Sequence, residues 1–83
     1  MTRDEVLDLV RSHLSEELEV DAARISEQTR FKEDLDADSL DLYELVMELE
    51  DNYGISVSEE QAAGIKTVGN AVDFVVEHAP SEA

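Results

Sequence analysis

The stretch Asp38-Ser39-Leu40-Asp41-Leu42-Tyr43-Glu44-Leu45-Val46-Met47-Glu48-Leu49-Glu50-Asp51-Asn52-Tyr53-Gly54 decides how this chain is read. An acidic cap residue opens it, apolar residues recur at helical spacing through it, and a glycine able to take the left-handed conformation closes it. It predicts a helix starting at Asp38 or Ser39 and running to about Tyr53, with Ile55 packing back on Leu49. At ~100° per residue, Leu42, Leu45, Val46, Leu49 and Tyr53 share one side, which is the expected core face. Leu40, Tyr43 and Met47 lie on roughly the opposite side, bordered by Asp41, Glu44, Glu48 and Asp51. One rotation cannot bury both sets in a small bundle. Each of the three alone would read as gap filling beneath a loop. Together they read as an exposed apolar strip rimmed by carboxylates, a docking surface for a basic partner.

The acidity extends upstream. From Glu33 to Asp51 there are nine Asp or Glu residues and no Lys or Arg. Such a segment repels itself and implies a basic partner or another functional reason. The 83-residue chain has a formal charge of −16 and only six basic residues, which are dispersed along the sequence. That argues against nucleic acid and against an anionic membrane surface, both of which select clustered Lys and Arg. No apolar run approaches the ~18 residues of a spanning helix, and the first residues lack the apolar core of a signal peptide. A cytoplasmic, monomeric protein is expected, with no nucleic acid partner and no membrane insertion. A chain this short buries only somewhat more than ~60% of the surface it exposes when unfolded, so it makes one small domain, residues 1–83. Without cysteine it has neither a thiolate metal site nor a thiol of its own.

Outward from the central helix, Thr2 and Glu5 fit a capping box, followed by a stripe of Val6, Leu7, Val10, Leu14 and Leu18 that ends between Ser15 and Leu18. From Glu19 to Asp38 periodicity lapses. Val20, Ile25, Phe31 and Leu35 are the expected anchors there, and Asp21 before Ala22-Ala23 suggests a short turn. Ser58 with Gln61 opens a short third helix that Gly64 closes. Thr67 caps a last helix with Val68, Val72, Val75, Val76 and Ala79 as its core stripe, stopped by Pro80. Ile55-Ser56-Val57 alternates like a strand but is too short and has no partner run. The expected fold is all-α, a small four-helix bundle with a short third helix and a long loop between helices one and two.

Ser39 admits several roles. A catalytic nucleophile needs a base, and the only histidines, His13 and His78, come with no nucleophile-elbow motif. A plain helix cap is redundant beside Asp38. A phosphate ester at Ser39 would meet the free N–H groups and positive dipole end of a helix, although Asp38 and Asp41 oppose an anion there. The alternation Asp34, Asp36, Asp38 suggests a calcium loop, yet counting from Asp34 puts Ser39 where glycine belongs and Leu45 where a bidentate glutamate belongs. No metal ligand set and no catalytic residue are assigned.

Phe31, Glu33-Asp34-Leu35, Ala37-Asp38-Ser39-Leu40-Asp41, Glu44-Leu45-Val46-Met47, Leu49-Glu50 and Tyr53-Gly54-Ile55 closely resemble the acyl carrier proteins of dissociated fatty-acid and polyketide synthases. The likeness extends to length, acidity, the long first loop and Thr67-Val68-Gly69. It implies a carrier rather than an enzyme. A phosphopantetheinyl transferase would attach 4'-phosphopantetheine from coenzyme A to Ser39, and the arm's thiol would carry acyl groups as thioesters, supplying the sulfur the chain lacks. By the same resemblance Asp38 assists the modification, and Leu40, Asp41, Tyr43, Glu44, Met47 and Glu48 contact partners. Those partners would be acyltransferase, ketosynthase, reductase and dehydratase enzymes with basic patches. Two residues depart from the family pattern: Asp36 where glycine is common, and Tyr43 where a small aliphatic residue is common. The reading favours fatty-acid biosynthesis. Its alternatives are a polyketide or other specialised carrier, and, from a different class, a cofactor-free acidic regulatory or cation-binding module that docks on a basic enzyme.

Overall fold

A computed structural model describes residues 2–79. Four α-helices form: α1 Arg3–Leu18, α2 Ser39–Tyr53, α3 Glu59–Ala63 and α4 Val68–His78, with a single 3₁₀ turn, Ala22–Arg24, in the first connection. No strand forms among the described residues, and the one ladder contact is an isolated antiparallel bridge between Arg30 and Thr67. The all-α expectation holds, including the short third helix and the long loop.

Capping chemistry sets the boundaries. The Thr2 hydroxyl accepts the Glu5 N–H at 3.2 Å, while the Glu5 carboxylate meets the Thr2 hydroxyl at 3.4 Å, so the threonine half of the expected capping box is made. Glu19 ends α1 in the left-handed region, φ 55°, with its N–H donated to the Ser15 carbonyl. Asp21 accepts the Ala23 N–H and seeds the 3₁₀ turn. Ser58 with Gln61 and Thr67 with Asn70 close complete capping boxes. Gly54 turns left-handed after α2, whereas Gly64 closes α3 with φ −84°, a conformation open to any residue. Pro80 lies outside the described residues.

Val6, Val10 and Leu14 of α1, Leu45 and Leu49 of α2, and Val68, Val72 and Val75 of α4 make the core, joined by Ile25, Phe31, Ile55 and Ile65 from the connections. Leu18, Val20, Leu35, Leu42 and Tyr53 are half-buried against it. Val76 departs from expectation at 40% exposed, while Ala71, outside the predicted stripe, is buried. Val76 lies on the same side of α4 as Gly69, two turns later. The 26–31 loop covers that side at Gly69, where the Glu27 carbonyl meets the Gly69 N–H.

That loop is fixed by backbone hydrogen bonds to the start of α4: Gly69 N–H to Glu27 C=O at 2.7 Å, Val68 N–H to Thr29 C=O at 2.9 Å and Phe31 N–H to Lys66 C=O at 3.1 Å. Arg11 Nε adds a bond from α1 to the Ile25 carbonyl at 2.8 Å. The loop therefore satisfies its polar backbone as an ordered element would. It delivers residues 30–38 to the foot of α2.

Candidate functional site at the start of helix two

Asp38 and Asp41 fix the first turn of α2 reciprocally. Asp38 Oδ1 accepts the Asp41 N–H at 3.0 Å, and Asp41 Oδ2 accepts the Asp38 N–H at 3.1 Å. Ser39 is the first helical residue; it is exposed, and its hydroxyl makes no hydrogen bond among the described residues. Ser15, Ser26 and Ser58 are committed, to the Val20 carbonyl, to Thr29 and to a capping box; Ser56 is exposed and unpartnered too, but it lies in the connection before α3 and not at the start of a helix or in the cleft wall. Ser39 stands in the wall of a cleft of about 440 Å³ between α2 and the α3 region. Phe31, Leu42, Val46, Ala62 and Ile65 give this cleft an apolar lining, and Tyr43, Lys32 and Lys66 also face it.

Leu40, Tyr43 and Met47 are 65%, 48% and 60% exposed. The strip expected from periodicity thus stands on the outer face of α2, while Leu45, Val46 and Leu49 are buried on the inner one. Tyr43 belongs to both features, edging the strip and the cleft. Glu44, Glu48 and Asp51 are exposed along the rim, whereas Asp41 is half-buried and held by the capping box. Glu48 accepts the Asn52 amide at 2.6 Å and lies 4.0 Å from His13 Nδ1.

The carboxylate oxygens of Glu17, Asp41 and Glu44 lie within 4.8 Å of one another. Repulsion from Glu17 is the main force that raises the Glu44 carboxyl above the ordinary 4.5, with desolvation and Asp41 adding. The alternating carboxylates of the loop do not converge as a calcium loop would require. Asp34 accepts the Arg30 N–H at 2.8 Å and its guanidinium, Asp38 caps α2, and Asp36 takes a left-handed φ of 55°. The Arg30 guanidinium holds Asp34 below the ordinary carboxylate range.

Neither histidine faces the cleft. His13 sits between α1 and α2 beside Glu48, and His78 stacks on Phe74 with Nδ1 2.9 Å from the Phe74 carbonyl oxygen. No histidine therefore stands at Ser39 to act as the base of a hydrolytic serine. What the site can do is hold out a hydroxyl for modification, beside a groove for an apolar chain and a charged face for another protein. The 4'-phosphopantetheine arm fits this geometry, because an unpartnered hydroxyl on the open side of a helix gives a tether room to swing either into the cleft or away from it.

The sequence reading missed the far wall of the cleft and its two lysines. The available signal was simple: Lys32 and Lys66 are the only lysines in the chain.

Comparison with known proteins agrees with this geometry. The family described as "Phosphopantetheine attachment site" matches residues 8–75. The acyl carrier protein of Rubrobacter xylanophilus is 46% identical over 78 residues, which span 94% of this chain and 96% of that protein. That of Lactobacillus acidophilus is 40% identical over 94% of this chain and 98% of its own length. Among solved structures, the acyl carrier protein of Enterococcus faecalis superposes with a TM-score of 0.82 at 43% identity, covering 95% of this chain and all of that one.

Proposed function

This chain belongs to the acyl carrier protein family, and from that premise we propose that Ser39 takes the 4'-phosphopantetheine arm and that the loaded carrier serves fatty-acid biosynthesis in the cytoplasm. The arm is the family's cofactor, and its terminal thiol carries acyl groups as thioesters. The observation that carries the proposal is the exposed, unpartnered Ser39 hydroxyl at the first residue of α2, in the wall of an apolar cleft.

In the attachment step Ser39 Oγ bonds to the phosphorus that bears pantetheine. The phosphoanhydride of coenzyme A breaks, adenosine 3',5'-bisphosphate leaves, and the hydroxyl proton passes to a base of the transferase. Asp38 contributes by fixing the first turn of α2, so that Ser39 is presented in one backbone geometry. Phe31, Leu42, Val46 and Ile65 offer an acyl chain a surface that excludes water.

Family members work with a phosphopantetheinyl transferase and with synthase enzymes. The particular docking surface proposed is Leu40, Asp41, Tyr43, Glu44, Met47 and Glu48, with carboxylates that steer a basic patch and an apolar strip that is desolvated on contact. The chain acts as one domain over residues 1–83 and as a monomer. Of the described residues, none belongs to a helix long and apolar enough to cross a membrane. A specialised polyketide-type carrier is the second reading, and the polar groups that Tyr43, Lys32 and Lys66 bring to the cleft favour it.

Intact mass tests the attachment. After incubation with coenzyme A and a broad-specificity phosphopantetheinyl transferase, the native chain gains one phosphopantetheine and Ser39→Ala gains none. An unmodified native chain would overturn the proposal. Presenting the loaded form to fatty-acid and polyketide ketosynthases decides the pathway.

A further inference from the structure

We propose that Lys32 and Lys66 form a two-lysine clamp for the phosphodiester carried by Ser39. This rests on the attachment at Ser39 and concerns how the chain's own charges hold that group.

In a chain with 22 acidic and six basic residues, a cation finds carboxylate partners easily. Three of the four arginines do: Arg3 pairs with Glu27 and Asp73, Arg11 with Asp8, and Arg30 with Asp34; Arg24, in the 3₁₀ turn and away from the cleft, has no ion pair among the described residues. Lys32 and Lys66 are both exposed, and neither ammonium has an ion pair among the described residues, although Glu33 and Glu59 face the same cleft. Ser39 faces that cleft too.

The backbone brings their two segments side by side at this cleft. The bridge between Arg30 and Thr67 and the bond from Phe31 N–H to the Lys66 carbonyl join the two segments. Lys66 N–H is held by Asn70 Oδ1 at 3.1 Å, and the Lys32 carbonyl accepts the Asp36 N–H at 3.1 Å. Two like charges on adjoining segments repel each other unless an anion lies between them.

The phosphodiester needs such cations. It would stand beside the Asp38 and Asp41 carboxylates, and their capping box already uses the N–H groups of residues 38 and 41. The N–H groups of Ser39 and Leu40 stay free among the described residues, but the two carboxylates beside them weaken what the helix terminus offers an anion. A carboxylate on the cargo would present similar oxyanion chemistry, but it would sit a full arm's length away. The phosphodiester is bonded to the cleft wall itself.

Lysine acetylation by a small activated ester, read residue by residue by mass spectrometry, tests the clamp on the intact chain before and after modification. Lys32 and Lys66 are expected to react about two- to fivefold more slowly in the modified form at low salt, the range an exposed ion pair supports. The difference should vanish in ~1 M salt, where the screening length falls to ~3 Å. Equal reactivity on a chain whose mass shows the arm would overturn the clamp and leave the attachment standing. Protection that persists at high salt would assign it to shielding by the arm and overturn the ion pair. Protection that appears only with a cargo bearing a terminal carboxylate would transfer the lysines to the cargo. If no arm is attached, attachment and clamp fall together. As a second readout, the ³¹P resonance of the modified chain should move with salt in the native protein and not in Lys32→Gln/Lys66→Gln; the same response in both would reject the clamp.

Discussion

Gly69 and Glu27 meet backbone to backbone. The Gly69 N–H donates to the Glu27 carbonyl at 2.7 Å, and a Cβ on Gly69 would stand 2.8 Å from that same oxygen. Helix propensity alone says that Gly69→Ala gains about 1 kcal/mol. The contact says the opposite, because a backbone oxygen held in a bonded loop cannot give way as the end of a flexible side chain would. Gly69→Ala should lose about 1–3 kcal/mol, the size of a local overpacking, in urea unfolding. A gain in the denaturation midpoint would mean that the loop is free to lift off α4.

Asp36 sits at φ 55°, a region that costs a residue with a Cβ about 1–2 kcal/mol. Asparagine and aspartate tolerate it best, and glycine pays only through its freer unfolded chain. Asp36→Gly should therefore gain roughly 0.5–1 kcal/mol, and Asp36→Ala, which keeps the Cβ, should not. Equal midpoints for the two variants would show that the removed charge, and not the backbone, is responsible.

Glu44 is raised above its ordinary 4.5 chiefly by Glu17, so the folded chain binds that proton more tightly than the unfolded one. Its contribution to stability is fully present below the unfolded value and is lost as pH rises through the folded one. Glu44→Gln should accordingly melt about 1–3 °C higher than the native chain at pH 7, with the gap closing near pH 4. Asp34 runs the other way, because its carboxyl is lowered by Arg30 and its contribution is lost as pH falls. A gap that does not change with pH would place the effect of Glu44→Gln outside electrostatics.

Charge on the outer face of α2 should govern docking. Glu44→Lys is expected to slow acyl transfer to a basic partner roughly three- to tenfold at low salt, with kcat/KM as the readout. Because the same change removes the repulsion with Glu17, it should raise the melting temperature while it weakens transfer. Glu77→Lys on α4, an exposed site away from the strip, is the control. Equal slowing by both variants would reduce the surface to a net-charge effect.

The helices were legible because their signals are local. A cap such as Asp38, a stop such as Gly54 and the spacing of Leu40, Tyr43 and Met47 are all set within a few residues of one another. What escaped depends on pairings distant in sequence. Val76 has the same spacing as a core residue, yet the packed elements leave it in solvent. Ala37 is buried by the fold of the loop around Phe31, whose carbonyl accepts its N–H at 2.8 Å, and the acidic residues flanking it give no hint of this. Lys32 and Lys66 are more than thirty residues apart and come to line one cleft where Arg30 and Thr67 join their segments. The candidate site was half visible for the same reason: Ser39 and its strip lie on one helix, whereas the cleft beside them is assembled from four segments.

Helix α3 buries none of its five residues, yet the isoleucines just outside its ends, Ile55 and Ile65, are both in the core. One wall of the cleft is thus suspended from two fixed points, with nothing of its own locked into the interior. Displacing it would cost a few exposed hydrogen bonds and little apolar contact, while α1, α2 and α4 keep theirs. The volume beside Ser39 can therefore change while the three longer helices keep their packing.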